Sequence, residues 1–230
     1  MLNLGIPNYE RSKIPLKNVL SYLLQRKQAY LGHILGISIF IMVVYALNLW
    51  GPTYFIRTFE YSRPEAGWVF GLVMISAGTF GLLTAGLLSD KLMARGIHDA
   101  YIRMILFSML AIMPCAIALG FIENDKLAIV AMAFAIYFSA FQGGISGGAL
   151  QLMTPNRMRG QVTALFLLAA NLIGLGLGPT VIAMVTDYIF MDEAAIGKSI
   201  ALCTLLLCPT GAFILWRSMP AIQKQLTEQG

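Results

Sequence analysis

The side chains able to do chemistry in this sequence are few, and most stand alone between apolar residues. Asn48, Gln142 and Asn171 bring amides, and Tyr45, Tyr137, Ser139 and Thr163 bring hydroxyls, into stretches that carry no charge. These groups donate and accept hydrogen bonds but have no nucleophile or base beside them, so the chemistry they suit is reversible binding. A polar side chain in apolar surroundings needs either a partner or a wet cavity. Two accounts therefore stand for each: a hydrogen bond between helices, or a place on the wall of a solute cavity. Tyr45, Asn48, Tyr137, Gln142 and Asn171 are the candidate cavity-lining residues. His33 lies near the start of the first apolar stretch; alone it does not establish proton coupling, and a structural or interfacial role is the plainer account.

Covalent chemistry has no visible constellation. There is no P-loop and no His-Glu-x-x-His helix. Cys115, Cys203 and Cys208 all fall in apolar runs without a CxxC or Cys/His neighbour, and read as small buried hydrophobes. No catalytic residue, metal site or cofactor is expected, and a membrane enzyme would need residues that the sequence does not bring together.

The elements that must position these residues follow from composition. Hydrophobic residues make up 58% of the 230 positions and charged residues 12%, too few charges to cover an ordinary water-exposed surface. The gaps between charged residues locate the spans: 29 residues between Lys27 and Arg57, 24 between Glu65 and Asp90, 19 between Arg103 and Glu123, 30 between Lys126 and Arg157, 27 between Arg159 and Asp187, and 18 between Lys198 and Arg217. About 20 helical residues cross a hydrocarbon layer roughly 30 Å thick. Six transmembrane helices are predicted, near Tyr30–Trp50, Trp68–Leu88, Met104–Ile122, Ala128–Gln151, Val162–Thr186 and Ser199–Trp216. A β-barrel would need shorter segments of alternating polarity, and open sheet edges cannot stay unpaired in lipid. The fold class is thus an all-α integral membrane protein.

Lys and Arg give the orientation. Twelve lie on the side that holds both ends of the chain and the second and fourth loops, against four on the other side. The basic side is expected to be cytoplasmic, with both termini inside. Topology accounts for the net charge of +5 without a nucleic-acid partner, and adds some attraction to anionic lipid. Residues 1–28 form a cytoplasmic lead-in without a signal-peptide cleavage pattern, residues 29–217 the six-helix unit, and residues 218–230 a polar tail expected to fray. In the lead-in, Leu16–Lys27 mixes apolar and basic residues at helical spacing, which fits a short interfacial helix or a plain continuation of the first span.

Small residues are grouped. Gly67 with Gly71, Gly143 with Gly147, Gly144 with Gly148, and Gly174 with Gly178 each put two glycines one turn apart, where another helix can approach. Pro52, Pro114, Pro179 and Pro209 remove backbone donors, and the run Gly174–Pro179 combines that deficit with low bulk, so this span is the candidate for bending. Structural packing and a static kink are the plainer accounts of these features.

The segment Gly86-Leu87-Leu88-Ser89-Asp90-Lys91-Leu92-Met93-Ala94-Arg95 resembles the cytoplasmic loop motif Gly-x-Leu-Ala-Asp-Arg-x-Gly-Arg-Arg of the major facilitator superfamily, departing from it at Met93 and Ala94. Two further stretches are similar to that family: Trp50-Gly51-Pro52 with Arg57-Thr58-Phe59 and Ala66-Gly67-Trp68, and Thr154–Gln161 followed by Asn171, Gly174, Gly178-Pro179 and Thr186-Asp187-Tyr188. The order and spacing look like the carboxyl-terminal six-helix half of a bacterial spinster-like transporter. The resemblance implies a half-transporter bundle in the cell inner membrane, partnered by a matching amino-terminal six-helix half. It implies alternating access to a small organic solute of anionic or amphipathic character, with protons as the expected coupling ion. It also implies a cytoplasmic gate built from Asp90, Lys91, Arg95, Arg157 and Arg159. Asp90 would accept hydrogen bonds at a helix end while the basic residues make charge-assisted contacts; a solvated turn obeying the positive-inside bias is the other account. A non-transporting scaffold, partner subunit or remnant half is the alternative function.

Overall fold

A computed structural model describes residues 14–229. The first part of the lead-in, residues 1–13, and Gly230 lie outside the described residues.

Pro15 precedes the first helix, α1 (Leu16–Gln25). Its fixed φ and absent N–H suit a helix entrance. A break at Arg26, with φ −113° and ψ 31°, separates α1 from α2 (Lys27–Phe59). The remaining spans are α3 (Arg63–Ala94), α4 (Ala100–Ala118), α5 (Asp125–Met153), α6 (Arg159–Phe190) and α7 (Ile196–Gln229). Helices α2 to α7 are each long and apolar enough to cross a membrane, so the six predicted spans are present. Local chemistry starts them. Ser62 and Glu65 form a reciprocal capping box at α3, and the Asn124 side chain accepts from Leu127 N–H at 3.1 Å at α5.

The helices overrun the expected spans at every end but one, α2 for instance reaching Phe59 rather than Trp50, and two ends need a tertiary account. α4 ends at Ala118 rather than Ile122, where the Leu119 carbonyl accepts a hydrogen bond from the Tyr54 hydroxyl at 2.9 Å. The tail expected to fray is instead helical to Gln229 despite Pro220. Ile222 is fully buried, and Gln223 and Gln225 hydrogen-bond to other parts of the fold; these tertiary contacts offset the donor that Pro220 removes.

α2 is the central helix of the bundle. It packs along α7 and α6, α7 packs on α4, α4 on α5, and α3 on α5 and α4. The α2–α7 crossing is close enough that a Cβ on Gly36 would stand 3.0 Å from the Gly211 carbonyl, and one on Gly211 would stand 2.9 Å from the Gly36 carbonyl. Two buried tyrosines close helix ends: Tyr30 donates to the Met153 carbonyl at 2.7 Å and Tyr54 to the Leu119 carbonyl at 2.9 Å. Each satisfies a carbonyl at a helix C-terminus that has no partner within its own helix. α3 and α6 are the least buried of the six spans.

Candidate functional site

Tyr45 and Asn48 are three residues apart on α2 and so share a helix face. Tyr45 donates its hydroxyl hydrogen to Asn171 Oδ1 on α6 at 3.3 Å, and Asn171 Nδ2 donates to the Leu167 carbonyl one turn back at 2.8 Å. Asn48 is half-buried, and its Oδ1 has no hydrogen-bond partner among the described residues. The structure thus joins Tyr45 to Asn171 and leaves Asn48 one turn along with spare capacity. Asn171 itself remains exposed.

The backbone of α6 is unusual at this point. Ala170–Leu175 forms a wide π turn, and Pro179, four residues beyond Leu175, cannot supply the N–H that the Leu175 carbonyl would receive. On the other side of Pro179, its own carbonyl accepts from the Trp50 indole at 2.9 Å. Gly174 and Gly178 lie under α2: a Cβ on Gly178 would stand 2.8 Å from Met42 Cα, and one on Gly174 would stand 3.0 Å from Ile41 Cβ. Absent side chains let the two backbones approach, and that approach brings the Tyr45 hydroxyl within reach of Asn171.

On α5, Gln142 and Tyr137 are half-buried and make no side-chain hydrogen bond among the described residues. The Tyr137 ring packs against Phe138 and Phe141, with centroids 5.1 and 5.3 Å away. Gly147 has open space where a side chain would stand, and Gly143 has only the tip of Leu82 at 3.9 Å; the tight member of that run is Gly144, 2.9 Å from the same tip. Gly67 and Gly71 on α3 also face open space.

The loop motif occupies the end of the bundle where the basic residues gather. Asp90 accepts a hydrogen bond from the Tyr101 hydroxyl of α4 at 2.9 Å, a phenol rather than the helix-end backbone donors expected. Lys91 and Arg95 are exposed and form no ion pair among the described residues. Arg159 Nε donates to the Thr154 carbonyl at 3.1 Å, just past the end of α5. Arg157 is exposed on the same loop.

A second cluster at this end escaped the sequence reading. Asp99 is buried and accepts from Arg103 Nε and from Gln223 Nε2, both at 2.8 Å. Burial pushes the Asp99 carboxyl up, but those two donors outweigh it and hold the group below its usual range. The spacing of Asp99 and Arg103, four apart, signals their pairing; Gln223 carries no such signal, because a polar segment after Pro220 predicts a frayed tail rather than a helix.

At the opposite end Arg57 Nη2 meets Glu193 Oε2 at 3.3 Å, and its guanidinium lies over Trp50, 5.9 Å from the ring centroid. Tyr61 donates to Asp125 Oδ2 at 2.8 Å, and that hydrogen bond raises the pKa of the phenol. Among the described residues no group of three His, Cys, Asp or Glu side chains is placed to hold a metal ion.

Residues 4–179 match the sequence model of the Major Facilitator Superfamily. The chain is 26% identical over 211 residues to an MFS-type efflux pump of Mycolicibacterium smegmatis, covering 90% of this chain and 48% of the pump. Its fold is similar to two crystal structures of a bacterial homolog to the human lysosomal transporter Spinster. The inward-facing, unoccupied form gives a TM-score of 0.64 at 17% identity, over 95% of this chain and 53% of that one. The inward-facing, occupied form gives 0.60 at 16% identity, over 88% and 50%. The chain therefore spans about half the length of the relatives it matches.

Proposed function

Because the chain belongs to the major facilitator superfamily, a family of membrane transporters, we propose that it is the carboxyl-terminal six-helix half of a secondary active transporter. Together with a matching amino-terminal half it moves a small organic solute, anionic or amphipathic, by alternating access across the inner membrane. The carrying observation is the state of α6. This helix and α3 have the least contact with the rest of the bundle, and α6 presents the exposed amide of Asn171 among Leu168, Leu172 and Leu175, which are exposed too. An amide beside exposed leucines fits a wall that meets solute and a second bundle better than it fits lipid alone.

In this reading Tyr45, Asn48 and Asn171 supply uncharged hydrogen-bonding groups to the solute, and Tyr137 and Gln142 extend the wall along α5. The π turn and Pro179 let α6 change its bend while the Gly174 and Gly178 contact to α2 serves as pivot. Asp90, Lys91, Arg95, Arg157 and Arg159 gate the basic, cytoplasmic end. The spans contain no central Asp or Glu, so a proton-coupling carboxylate belongs to the partner half.

The test is reconstitution. The chain alone, and the chain with a candidate amino-terminal half, are placed in vesicles under identical ion gradients with the oligomeric state verified. Saturable, competitor-sensitive accumulation only in the paired sample supports the proposal. Uphill accumulation by the chain alone refutes the half-transporter reading, and normal assembly of the pair without any transport favours the scaffold.

A further inference from the structure

α1 carries two apolar stripes, and only one of them is used by the fold. Val19 and Leu23 are 0% and 6% exposed, whereas Leu16, Leu20 and Leu24 are 52%, 42% and 62% exposed. Each residue turns a helix by about 100°, so leucines at a spacing of four stay within about 80° of one another. That second stripe lies immediately beside the buried one. Lys17 falls at its far edge, and Asn18, Ser21 and Gln25 make up the opposite, polar side. The helix therefore has three sectors: one against protein, one apolar and uncovered, and one polar. A helix lying where a bundle, a hydrocarbon layer and water meet needs that division.

Position agrees with the pattern. α1 runs directly into the membrane-length α2 through the break at Arg26 and touches α2 and the first turns of α6. Its polar connections are to the same end of the bundle: the Gln161 side chain of α6 donates to the Ile14 carbonyl at 2.9 Å, and the Tyr22 hydroxyl reaches Gln225 of α7 at 3.5 Å. Arg26 is held over the Tyr22 ring, 4.2 Å from its centroid, while Lys17 and Lys27 are exposed. No acidic side chain occurs between Ile14 and Phe59, so the positive charge of Lys17, Arg26 and Lys27 is not offset within α1 or α2.

We propose that α1 docks on the adjoining membrane leaflet, with Leu16, Leu20 and Leu24 in the acyl boundary and Lys17 and Lys27 on the phosphates of anionic phospholipids. Docking holds Ile14 and Tyr22 in place and thereby steadies the starts of α6 and the end of α7. This goes beyond the transport reading, resting only on the bundle's being in a membrane, and its test does not use transport.

The full chain, with Cys115 changed to Ser so that the remaining native cysteines are buried, is placed in nanodiscs of neutral phospholipid or of neutral lipid mixed with phosphatidylglycerol. A bimane fluorophore is attached at Leu20→Cys, at Leu24→Cys or, on the polar side, at Gln25→Cys. Quenching by spin-labelled lipid and by aqueous iodide is then compared. In the anionic discs the probes at 20 and 24 should be quenched by lipid and shielded from iodide, and the probe at 25 should show the reverse. K17Q and K27Q should each lower the docked-to-undocked ratio by about fivefold. Iodide quenching at 20 and 24 equal to that at 25 would overturn the docking. Shielding from both quenchers would show that protein covers the stripe and would overturn it equally. Lipid quenching that is the same in neutral discs and unaffected by K17Q or K27Q would overturn the choice of anionic headgroups.

Discussion

Replacing Gly178 by alanine should destabilise the bundle, although the same change in an open helix position stabilises one. Alanine gains up to about 1 kcal/mol over glycine in helix propensity. At position 178 its Cβ would stand 2.8 Å from Met42 Cα and against the Met42 carbonyl, where ordinary contact begins near 3.4 Å. Both neighbours are backbone atoms, so no rotamer change can clear them. α6 must move from α2 by at least about 0.6 Å, the difference between those two distances, and further to clear the Met42 carbonyl, which stands closer still; overpacking of this kind costs about 1–3 kcal/mol. The net expectation is a loss of up to about 2 kcal/mol once the propensity gain is subtracted. The same shift would carry the Tyr45 to Asn171 hydrogen bond, now 3.3 Å, past the roughly 3.5 Å at which it ceases to count. G147A is the matched control, since nothing lies within 4 Å of a Cβ there, and it should gain about 0.5–1 kcal/mol. Denaturation midpoints in nanodiscs measure both variants, and thiol reactivity at Asn48→Cys reports whether the α2–α6 crossing has opened. Should G178A prove as stable as G147A with unchanged reactivity, the crossing is not held by backbone contact and the pivot assigned to it is wrong.

Tags at Met1 and Gly230 should both be protected inside right-side-out vesicles while a tag between Glu123 and Lys126 is cleaved; termini found on opposite faces would refute the orientation drawn from the Lys and Arg bias. D90N should insert normally and keep its Tyr101 contact, because Asn still accepts a hydrogen bond, while the lost charge shifts the inward and outward populations of the paired transporter. Unchanged exchange and unchanged accessibility of cytoplasmic cysteines would remove Asp90 from the gate. Asp99, whose carboxyl is held below its usual value of 3.8, should contribute stability that is fully present above that pH and is lost as acid takes the pH through the depressed folded value. Stability measured against pH should therefore fall in that window for the wild type and not for D99N; identical profiles would mean that the contacts to Arg103 and Gln223 contribute nothing.

The six spans were legible in the sequence because membrane crossing depends on a local sum. Each residue adds its own cost of entering hydrocarbon, and an uncharged run of about 20 suffices whatever its neighbours do. The loop pattern around Asp90 was legible for the same reason, being contiguous. The rotation of each helix about its own axis was not. Lipid and bundle interior are about equally apolar, so hydrophobicity does not mark which face turns inward. Only the tertiary structure distinguished Gly174 and Gly178, which sit against the α2 backbone, from Gly147 and Gly71, which face open space. It also paired Tyr45 with Asn171 across 126 positions of sequence and turned Tyr30 and Tyr54 from anonymous apolar residues into partners of helix-end carbonyls. The tail shows the reverse limit. Its polarity and Pro220 argued for fraying, and the buried Ile222 with the Gln223 bond to Asp99 prevailed, because a contact made 124 positions away leaves no mark on local propensity.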